Sequence, residues 1–208
     1  MSDDVPSPID LRSMPDAQEW ESTAMQKRPW RTEFFDAFAQ EVKSATGLHS
    51  AHILELGSGP GFLAKHLLDR IPNITRYVAL DFSSAMHQLA IQRLGEQVSR
   101  VEFVERSFLQ PAWHSDLGAF DFVVTHQAVH ELRHKRHATF LHAKVAQLLK
   151  PSGKYLVCDH FAGMNGMKNT DLYMSANEQA QSLKQGGFSS VLCLLKEGGL
   201  VLHSASIQ

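Results

Sequence analysis

The sequence predicts an α/β protein with a doubly wound, mainly parallel sheet. Short apolar segments alternate with amphipathic helical segments five times between residues 52 and 185. The first apolar segment runs directly into a glycine-rich turn, as in nucleotide-binding folds of this class. After residue 187 the pattern changes, because two apolar stretches joined by Gly198 and Gly199 predict an antiparallel C-terminal hairpin.

Each predicted element rests on the spacing of its apolar residues. Strands are predicted where short apolar runs lie between turn residues, at 52–56, 76–81, 101–105, 120–125 and 154–160. Helices are predicted where apolar residues recur every three or four positions, in the segments that carry Leu63, Leu67 and Ile71, then Met86, Leu89 and Leu94, then Leu141, Val145 and Leu148. A last helix is predicted over residues 171–185, capped by Asn169 or Thr170.

Residues 1–48 are predicted to form an N-terminal extension, with a disordered start of about 15 residues followed by helices. Phe34, Phe38 and Val42 repeat at i, i+4 and i+8, which gives the second part of the extension one apolar face. Residues 49–208 are predicted to form a single domain, long enough to bury a substantial core.

The composition is that of an ordinary globular protein, with 43% hydrophobic residues, 20% charged residues and a formal net charge of −2. This slightly acidic balance disfavours a nucleic-acid partner. The sequence shows neither a secretory signal nor an apolar run long enough to cross a membrane. Cys158 and Cys193 both lie in apolar strand-like runs, which predicts buried, reduced cysteines and a cytoplasmic protein.

The glycine turn and the acid after the second strand indicate a nucleoside-containing ligand. The turn reads ELGSGPG over residues 55–61, and Asp81 stands at the tip of the second strand, twenty residues past Gly61. A carboxylate at that position can accept hydrogen bonds from both ribose hydroxyls. The dinucleotide fingerprint would require a glycine where Phe62 stands. An NAD-linked dehydrogenase is therefore a disfavoured alternative.

The pattern E-x-G-x-G-x-G resembles the first motif of class I S-adenosylmethionine-dependent methyltransferases. The segments VALDFSSAM, FDFVVTHQAVHEL and LLKPSGKYLV are similar to later motifs of that family, so the resemblance extends from about residue 50 to the end. It implies a Rossmann-like methyltransferase fold and S-adenosylmethionine as the cofactor. It also implies a set of cofactor-binding residues: Glu55, Gly57, Ser58, Gly59, Gly61, Asp81, Phe82, Ser107, Phe108 and Thr125.

Those residues have different implied roles. In the family the glycine turn lines the methionine part of the cofactor, Asp81 corresponds to the acid that holds the ribose, and Phe82 lies along the adenine. The family usually places a Gly-Asp pair after the third strand, whereas this sequence has Arg106 and Ser107. We expect the Ser107 hydroxyl to replace the missing carboxylate and the Phe108 ring to cover the adenine.

The catalytic candidates lie beyond the fourth strand. His126 follows the strand directly and is expected to lie nearest the transferred methyl group, and an unperturbed imidazole titrates near pH 6.5. His130 is expected one turn later, where it orients the loop or touches the acceptor, and Glu131 is a candidate to hold an imidazole in its reactive tautomer. The fifth strand ends in Asp159 and His160, which face the same acceptor side.

The acceptor class follows from the residues that these strand ends lack. The fourth strand is not followed by the Asn/Asp-Pro-Pro-aromatic motif of enzymes that methylate DNA bases. We therefore expect transfer to an oxygen or nitrogen atom of a small organic acceptor, and no nucleic-acid or membrane partner. The alternative is a catalytically silent S-adenosylmethionine-binding module that acts through partner proteins. The oligomeric state stays open.

The segment HELRH, residues 130–134, matches the H-E-x-x-H motif of zinc metallopeptidases. That motif requires a mid-helix position and a third ligand well downstream. Here it begins only five residues after a predicted buried strand, and His137 and His142 follow too soon to supply the third ligand. We therefore expect no zinc peptidase site and no resident metal ion.

Overall fold

The computed structural model describes residues 4–47 and 49–207. The chain divides into two compact units, one formed by Ile9–Trp113 and the other by His114–Gln208 together with Met1–Pro8. Each unit contains its own strands and helices.

The unit Ile9–Trp113 contains strands that run parallel in the order β3, β2, β1. Its elements in chain order are α1 (Met14–Lys27), α2 (Arg31–Thr46), β1 (Ala51–Leu56), α3 (Phe62–Arg70), β2 (Ile74–Asp81), α4 (Ser84–Leu94) and β3 (Val101–Glu105). Phe34, Phe38 and Val42 on α2 are completely buried, which confirms the predicted apolar face. The α1 helix packs on α4, where Ala17 joins a cluster with Ala85 and Met86.

The other unit contains strands in the order β4, β5, β7, β6, with β4 and β5 parallel. Its elements are β4 (Phe120–His126), α5 (Ala138–Ala146), β5 (Leu149–His160), α6 (Ala176–Gln185), β6 (Ser190–Glu197) and β7 (Leu200–Ser206). The C-terminal strands form the predicted hairpin, and β7 pairs antiparallel with both β5 and β6. The predicted fold class, a mainly parallel α/β sheet with an antiparallel C-terminal hairpin, is confirmed.

The predicted start of the last helix was wrong by about five residues. The helix begins at Ala176, because the Ser175 hydroxyl accepts from the Glu178 N–H while the Glu178 carboxylate accepts from the Ser175 N–H. Asn169 instead caps a separate turn, in which its side-chain oxygen accepts from the N–H groups of Asp171 and Leu172. Two capping signals lie close together, and the complete capping box determines where the helix begins.

The prediction for the cysteines was half right. Cys158 on β5 is completely buried, whereas Cys193 on β6 is exposed, together with its neighbours Leu192 and Leu194. The β6 strand is the last in the order of its unit, so an apolar sequence there does not require burial. Among the described residues, no helix combines the length and the apolar character that a membrane crossing needs.

Candidate functional site

The glycine turn is fixed to the end of β2 by backbone hydrogen bonds. The N–H groups of Gly57 and Ser58 both donate to the Leu80 carbonyl, at 2.8 and 3.1 Å. Gly57, Gly59 and Gly61 have φ angles of 65°, 53° and 77°, a region in which a side chain is strained. At Gly61 a Cβ would also lie 3.0 Å from the Cβ of Ala90, so the turn approaches α4 closely.

Asp81 connects this turn to the tip of β2. Its Oδ2 accepts from the Gly59 N–H at 2.8 Å, and its Oδ1 accepts from the Ser83 N–H at 3.0 Å. The residue is only 5% exposed. A carboxylate at this place can accept from hydroxyl groups as well as from N–H groups. The sequence-predicted ribose acid therefore lies beside the sequence-predicted glycine turn.

Ser58 and Gly59 give the turn the character of a ligand-binding surface. The buried Ser58 hydroxyl has no hydrogen-bond partner among the described residues, although buried polar groups are nearly always bonded. Apart from Gly59 itself and its two chain neighbours, no atom of the described residues lies within 4 Å of the position that a Cβ on Gly59 would occupy. The space above Gly59 fits a ligand that lies against the backbone of the turn.

Glu55 lies beneath the turn and is almost completely buried. Burial raises the pKa of its carboxyl group to about 8, although the Tyr77 hydroxyl donates to it at 2.6 Å and opposes this shift, while the charge of Asp81 adds to it. The carboxyl group is therefore mostly protonated at neutral pH. In this structure Glu55 joins β1 to β2 through Tyr77.

The residues predicted to surround the adenine follow β2 and β3. Phe82 is half-buried, and the guanidinium of Arg12 lies 4.8 Å from the centre of its ring. The parallel register places Asp81 opposite Glu105, so Ser107 and Phe108 come after the end of the adjacent strand. Both residues are half-buried, and the Ser107 hydroxyl accepts from the Leu109 N–H at 3.2 Å.

In the other unit, Thr125 and His126 end β4 opposite Val157 and Cys158 of β5. Thr125 is buried and His126 is half-buried. The chain then turns at Gln127, whose φ of 60° is unusual for a residue other than glycine. Such strained positions concentrate at functional sites. His126 therefore stands at the point where the backbone leaves the strand, as the sequence indicates.

His130 is held by carboxylates on both sides of its ring. Its Nδ1 lies 2.7 Å from Asp159 Oδ1, its Nε2 lies 3.3 Å from Glu131 Oε1, and its backbone N–H donates to Asp159 Oδ2. Burial acts to lower the pKa of this imidazole, but Asp159 and Glu131 outweigh burial and raise the pKa to about 10. Because a protonated imidazole is no base, this arrangement suits a positioning role for His130.

His160 completes a cluster with His130 and Asp159. The backbone N–H of His160 donates to Asp159 Oδ1 at 2.7 Å, and its ring Nε2 lies 2.9 Å from the Gln127 amide nitrogen. Sequence reasoning placed Asp159 and His160 on the acceptor side but did not include them among the candidate site residues. The available signal was a polar Asp-His pair that ends an otherwise apolar strand.

The HELRH segment does not form a helical turn. Residues Val129–Leu132 form a short 3₁₀ helix, Arg133 takes a left-handed conformation with φ 64°, and His134 is extended with φ −159°. The α5 helix begins only at Ala138. His130 and His134 therefore lack the one-turn spacing that a zinc peptidase helix provides.

Comparison with known proteins supports the resemblance to methyltransferases. Residues 53–153, just under half of the chain, match the family model described as a methyltransferase domain. The matched range extends from β1 into β5 and stops before Asp159 and His160. The resemblance to class I methyltransferases that the sequence motifs indicate is confirmed.

One curated relative and two solved structures show how far the likeness extends. A malonyl-[acyl-carrier protein] O-methyltransferase from Paenibacillus sp. (strain JDR-2) is 26% identical over 159 residues, which cover 68% of this chain and 56% of that protein. The chain thus spans little more than half the length of this relative. The DhpI–SAH complex is 20% identical with a TM-score of 0.70 and covers 92% of this chain and 91% of its own. The DszA carbon methyltransferase is 16% identical, also with a TM-score of 0.70, and covers 89% and 58%. These structural likenesses show that the chain has a Rossmann-like fold.

Proposed function

We propose that this protein is an S-adenosylmethionine-dependent methyltransferase that acts on an oxygen or nitrogen atom of a small organic acceptor. The observation that carries the proposal is the Asp81 carboxylate at the tip of β2, which accepts a hydrogen bond from the Gly59 N–H of the glycine turn. An acid in this position suits a ribose whose two hydroxyls act as donors. The match to a methyltransferase domain selects S-adenosylmethionine among nucleoside-containing cofactors.

The fit of the cofactor rests on the residues of the turn. Ser58 offers a buried hydroxyl that needs a partner, and the space above Gly59 allows a ligand to approach the backbone. In this proposal Glu55 acts indirectly, since its hydrogen bond to Tyr77 stabilises the strand ends that carry the turn. Phe82 and Phe108 would lie along the adenine, with Ser107 as a polar contact.

Methyl transfer requires that the acceptor atom is aligned with the methyl group of the cofactor. Some acceptors must also lose a proton. The bound cofactor supplies an electrophilic methyl group on its sulfonium. The chain must then orient the acceptor and accept the proton that the acceptor loses. We assign proton acceptance to the His126 imidazole at the end of β4, with Thr125 as a neighbouring cofactor contact.

His130 has a different role in this proposal. Both of its ring nitrogens already face carboxylates, Nδ1 at Asp159 and Nε2 at Glu131. The ring is therefore not free to take a proton from an acceptor. We assign it to holding the loop that follows β4, because its backbone N–H and its ring both bind the same Asp159 side chain.

Binding and turnover together test this proposal. Isothermal titration should show that S-adenosylmethionine and its demethylated product bind, and that NADH does not bind more tightly. Incubation with isotopically labelled cofactor and a panel of phenols, amines and carboxylic acids should then yield labelled products in a mass spectrometer. Cofactor binding without any labelled product would favour the silent binding module. Tighter binding of NADH would contradict the family assignment.

A further inference from the structure

The cluster of His130, Asp159 and His160 has the composition and size of a metal site. Each of the three residues offers one ligand atom, and these atoms all lie within 4.8 Å of one another. We propose that these three side chains bind one divalent transition-metal ion. The proposal goes beyond methyl transfer, because it concerns metal binding itself and stands whether or not the chain has the proposed activity.

The distances fit such an ion after a small adjustment. Zinc lies about 2.0–2.2 Å from imidazole nitrogen and carboxylate oxygen, so two ligands of a tetrahedral site are about 3.4 Å apart. His130 Nδ1 and Asp159 Oδ1 are now 2.7 Å apart, the length of a hydrogen bond. The ion would take the place of the proton between these two atoms, and this proton would be released.

The space around the cluster suits one ion. A cavity of about 10 Å³ lies against all three side chains, which is room for about one water-sized occupant. Asp159 and His160 are 4% and 7% exposed. The buried Asp159 carboxylate is paired with His130 in this structure, and metal coordination is the other arrangement that stabilises a buried charge.

A third histidine on the cavity wall also indicates a missing occupant. His142 of α5 is 1% exposed and lines the same cavity. Its buried Nδ1 has no hydrogen-bond partner among the described residues. An ion with its bound water in the cavity would give this nitrogen a hydrogen-bond partner, which the described protein atoms do not provide.

The surrounding residues resemble the outer shell of a metal site, in which neighbours fix the orientation of each ligand. Gln127 lies against the His160 ring, and the Gln179 amide donates to the His160 carbonyl at 2.8 Å. The Tyr173 ring lies 5.5 Å from the His130 ring and 5.7 Å from the His160 ring. Two imidazoles and one carboxylate are ligands that zinc and other first-row transition metals accept, whereas magnesium and calcium prefer oxygen alone.

This site differs from the one that HELRH would suggest. It uses His130 but not His134, whose Nδ1 accepts from the Arg136 N–H outside the cavity. The proposal also departs from the expectation, drawn from the sequence, that the protein holds no resident metal ion. The second and third ligands of the site come from the end of β5, which the sequence motif does not include.

Metal titration of the full chain tests the proposal. Untagged protein is dialysed against a chelator and titrated with Co²⁺ while its visible absorption is recorded, and Zn²⁺ is then used in competition. We expect one equivalent to bind. Asp159→Asn and His160→Ala should each weaken binding by about 100-fold or more, since loss of an outer-shell partner alone costs about 10–100-fold.

Two matched variants distinguish this site from other side chains that are able to bind a metal ion. His134→Ala removes the second histidine of HELRH, and Cys193→Ser removes the exposed thiol; both should bind Co²⁺ as the unaltered protein does. Loss of binding in His134→Ala, unchanged binding in Asp159→Asn, or no binding by the unaltered protein at micromolar concentrations would each overturn the proposal.

A measurement on the unaltered protein covers the case in which a variant does not fold. In NMR spectra of the imidazole groups, one equivalent of Zn²⁺ should shift the ring signals of His130 and His160 and leave those of His134 unchanged. Shifts at His134 with unchanged signals of His160 would contradict the assignment. Neither readout depends on cofactor or on methyl transfer, so failure of the metal site and failure of the proposed function are distinguishable.

Discussion

The backbone N–H of Gly59 donates a hydrogen bond of 2.8 Å to Oδ2 of Asp81, which stands 22 residues further along the chain. This bond joins the glycine turn after β1 to the acid at the tip of β2. It fixes the turn relative to the carboxylate before any ligand arrives. A ligand that binds both features therefore meets groups that are already positioned, which lowers the entropic cost of binding.

Replacement of Asp81 should weaken cofactor binding. Asp81→Ala removes an acceptor that we expect to bind the ribose, and hydrogen bonds to charged groups contribute about 1.5–3 kcal/mol. Isothermal titration with S-adenosylmethionine and its demethylated product should show this loss for both ligands. Asp69→Ala removes an exposed acid of the same unit and should bind both ligands normally. Equal affinity in Asp81→Ala would refute the ribose assignment.

Ser58→Ala should separate folding stability from ligand binding. The Ser58 hydroxyl is buried without a partner, so its removal should leave the free energy of unfolding unchanged or raise it by about 1 kcal/mol. Cofactor affinity should fall by about 0.5–1.5 kcal/mol, the contribution of one neutral hydrogen bond. Thermal unfolding and titration measure the two effects, with the exposed Ser99→Ala as control. A loss of stability with unchanged affinity would show that the hydroxyl is structural.

Glu55 should make the protein less stable as the pH rises. The pKa of its carboxyl group is raised from 4.5 to about 8, mainly by burial. Between these values the unfolded chain has lost the proton and the folded chain keeps it. The free energy of unfolding should therefore fall with rising pH by up to about 1.4 kcal/mol per unit from this group.

Glu55→Gln should remove that slope, because glutamine keeps the shape and an acceptor for the Tyr77 hydroxyl. The two proteins should be similarly stable near the lower pKa, and the variant should be the more stable one near pH 8. Chemical unfolding across this pH range measures the difference. The exposed Glu102→Gln serves as control and should keep the slope. Parallel profiles for Glu55→Gln and the unaltered protein would show that Glu55 is ionised in the folded state.

His126→Ala should lower kcat by roughly 10²–10⁴ if proton removal limits the rate, while cofactor affinity stays nearly intact. Steady-state kinetics with an identified acceptor provide the measurement, and His134→Ala is the matched imidazole control. An unchanged rate would show that the acceptor arrives already deprotonated.

Much of the fold could be predicted because its signals are local. Apolar periodicity located every strand, and the spacing from Gly61 to Asp81 located the acid that the structure places beside the turn. The two wrong predictions, for the start of the last helix and for the burial of Cys193, have separate causes. The last helix begins at Ala176 because one of two nearby capping signals is complete, and Cys193 is exposed because β6 is the last strand of its unit.

The sequence by itself determined the order of the elements and the polar residues at the strand ends. Both follow from the spacing of apolar and polar residues within short segments of the chain. Only the tertiary structure decided which polar atoms meet. The contact of Glu55 with Tyr77 spans 22 positions, and that of His130 with Asp159 spans 29. Such contacts depend on the register of neighbouring strands and on the course of the loop after β4. No local pattern encodes the distance between them. Burial is the main cause of the raised pKa of Glu55, whereas the contact with Asp159 raises the pKa of His130 against the effect of burial.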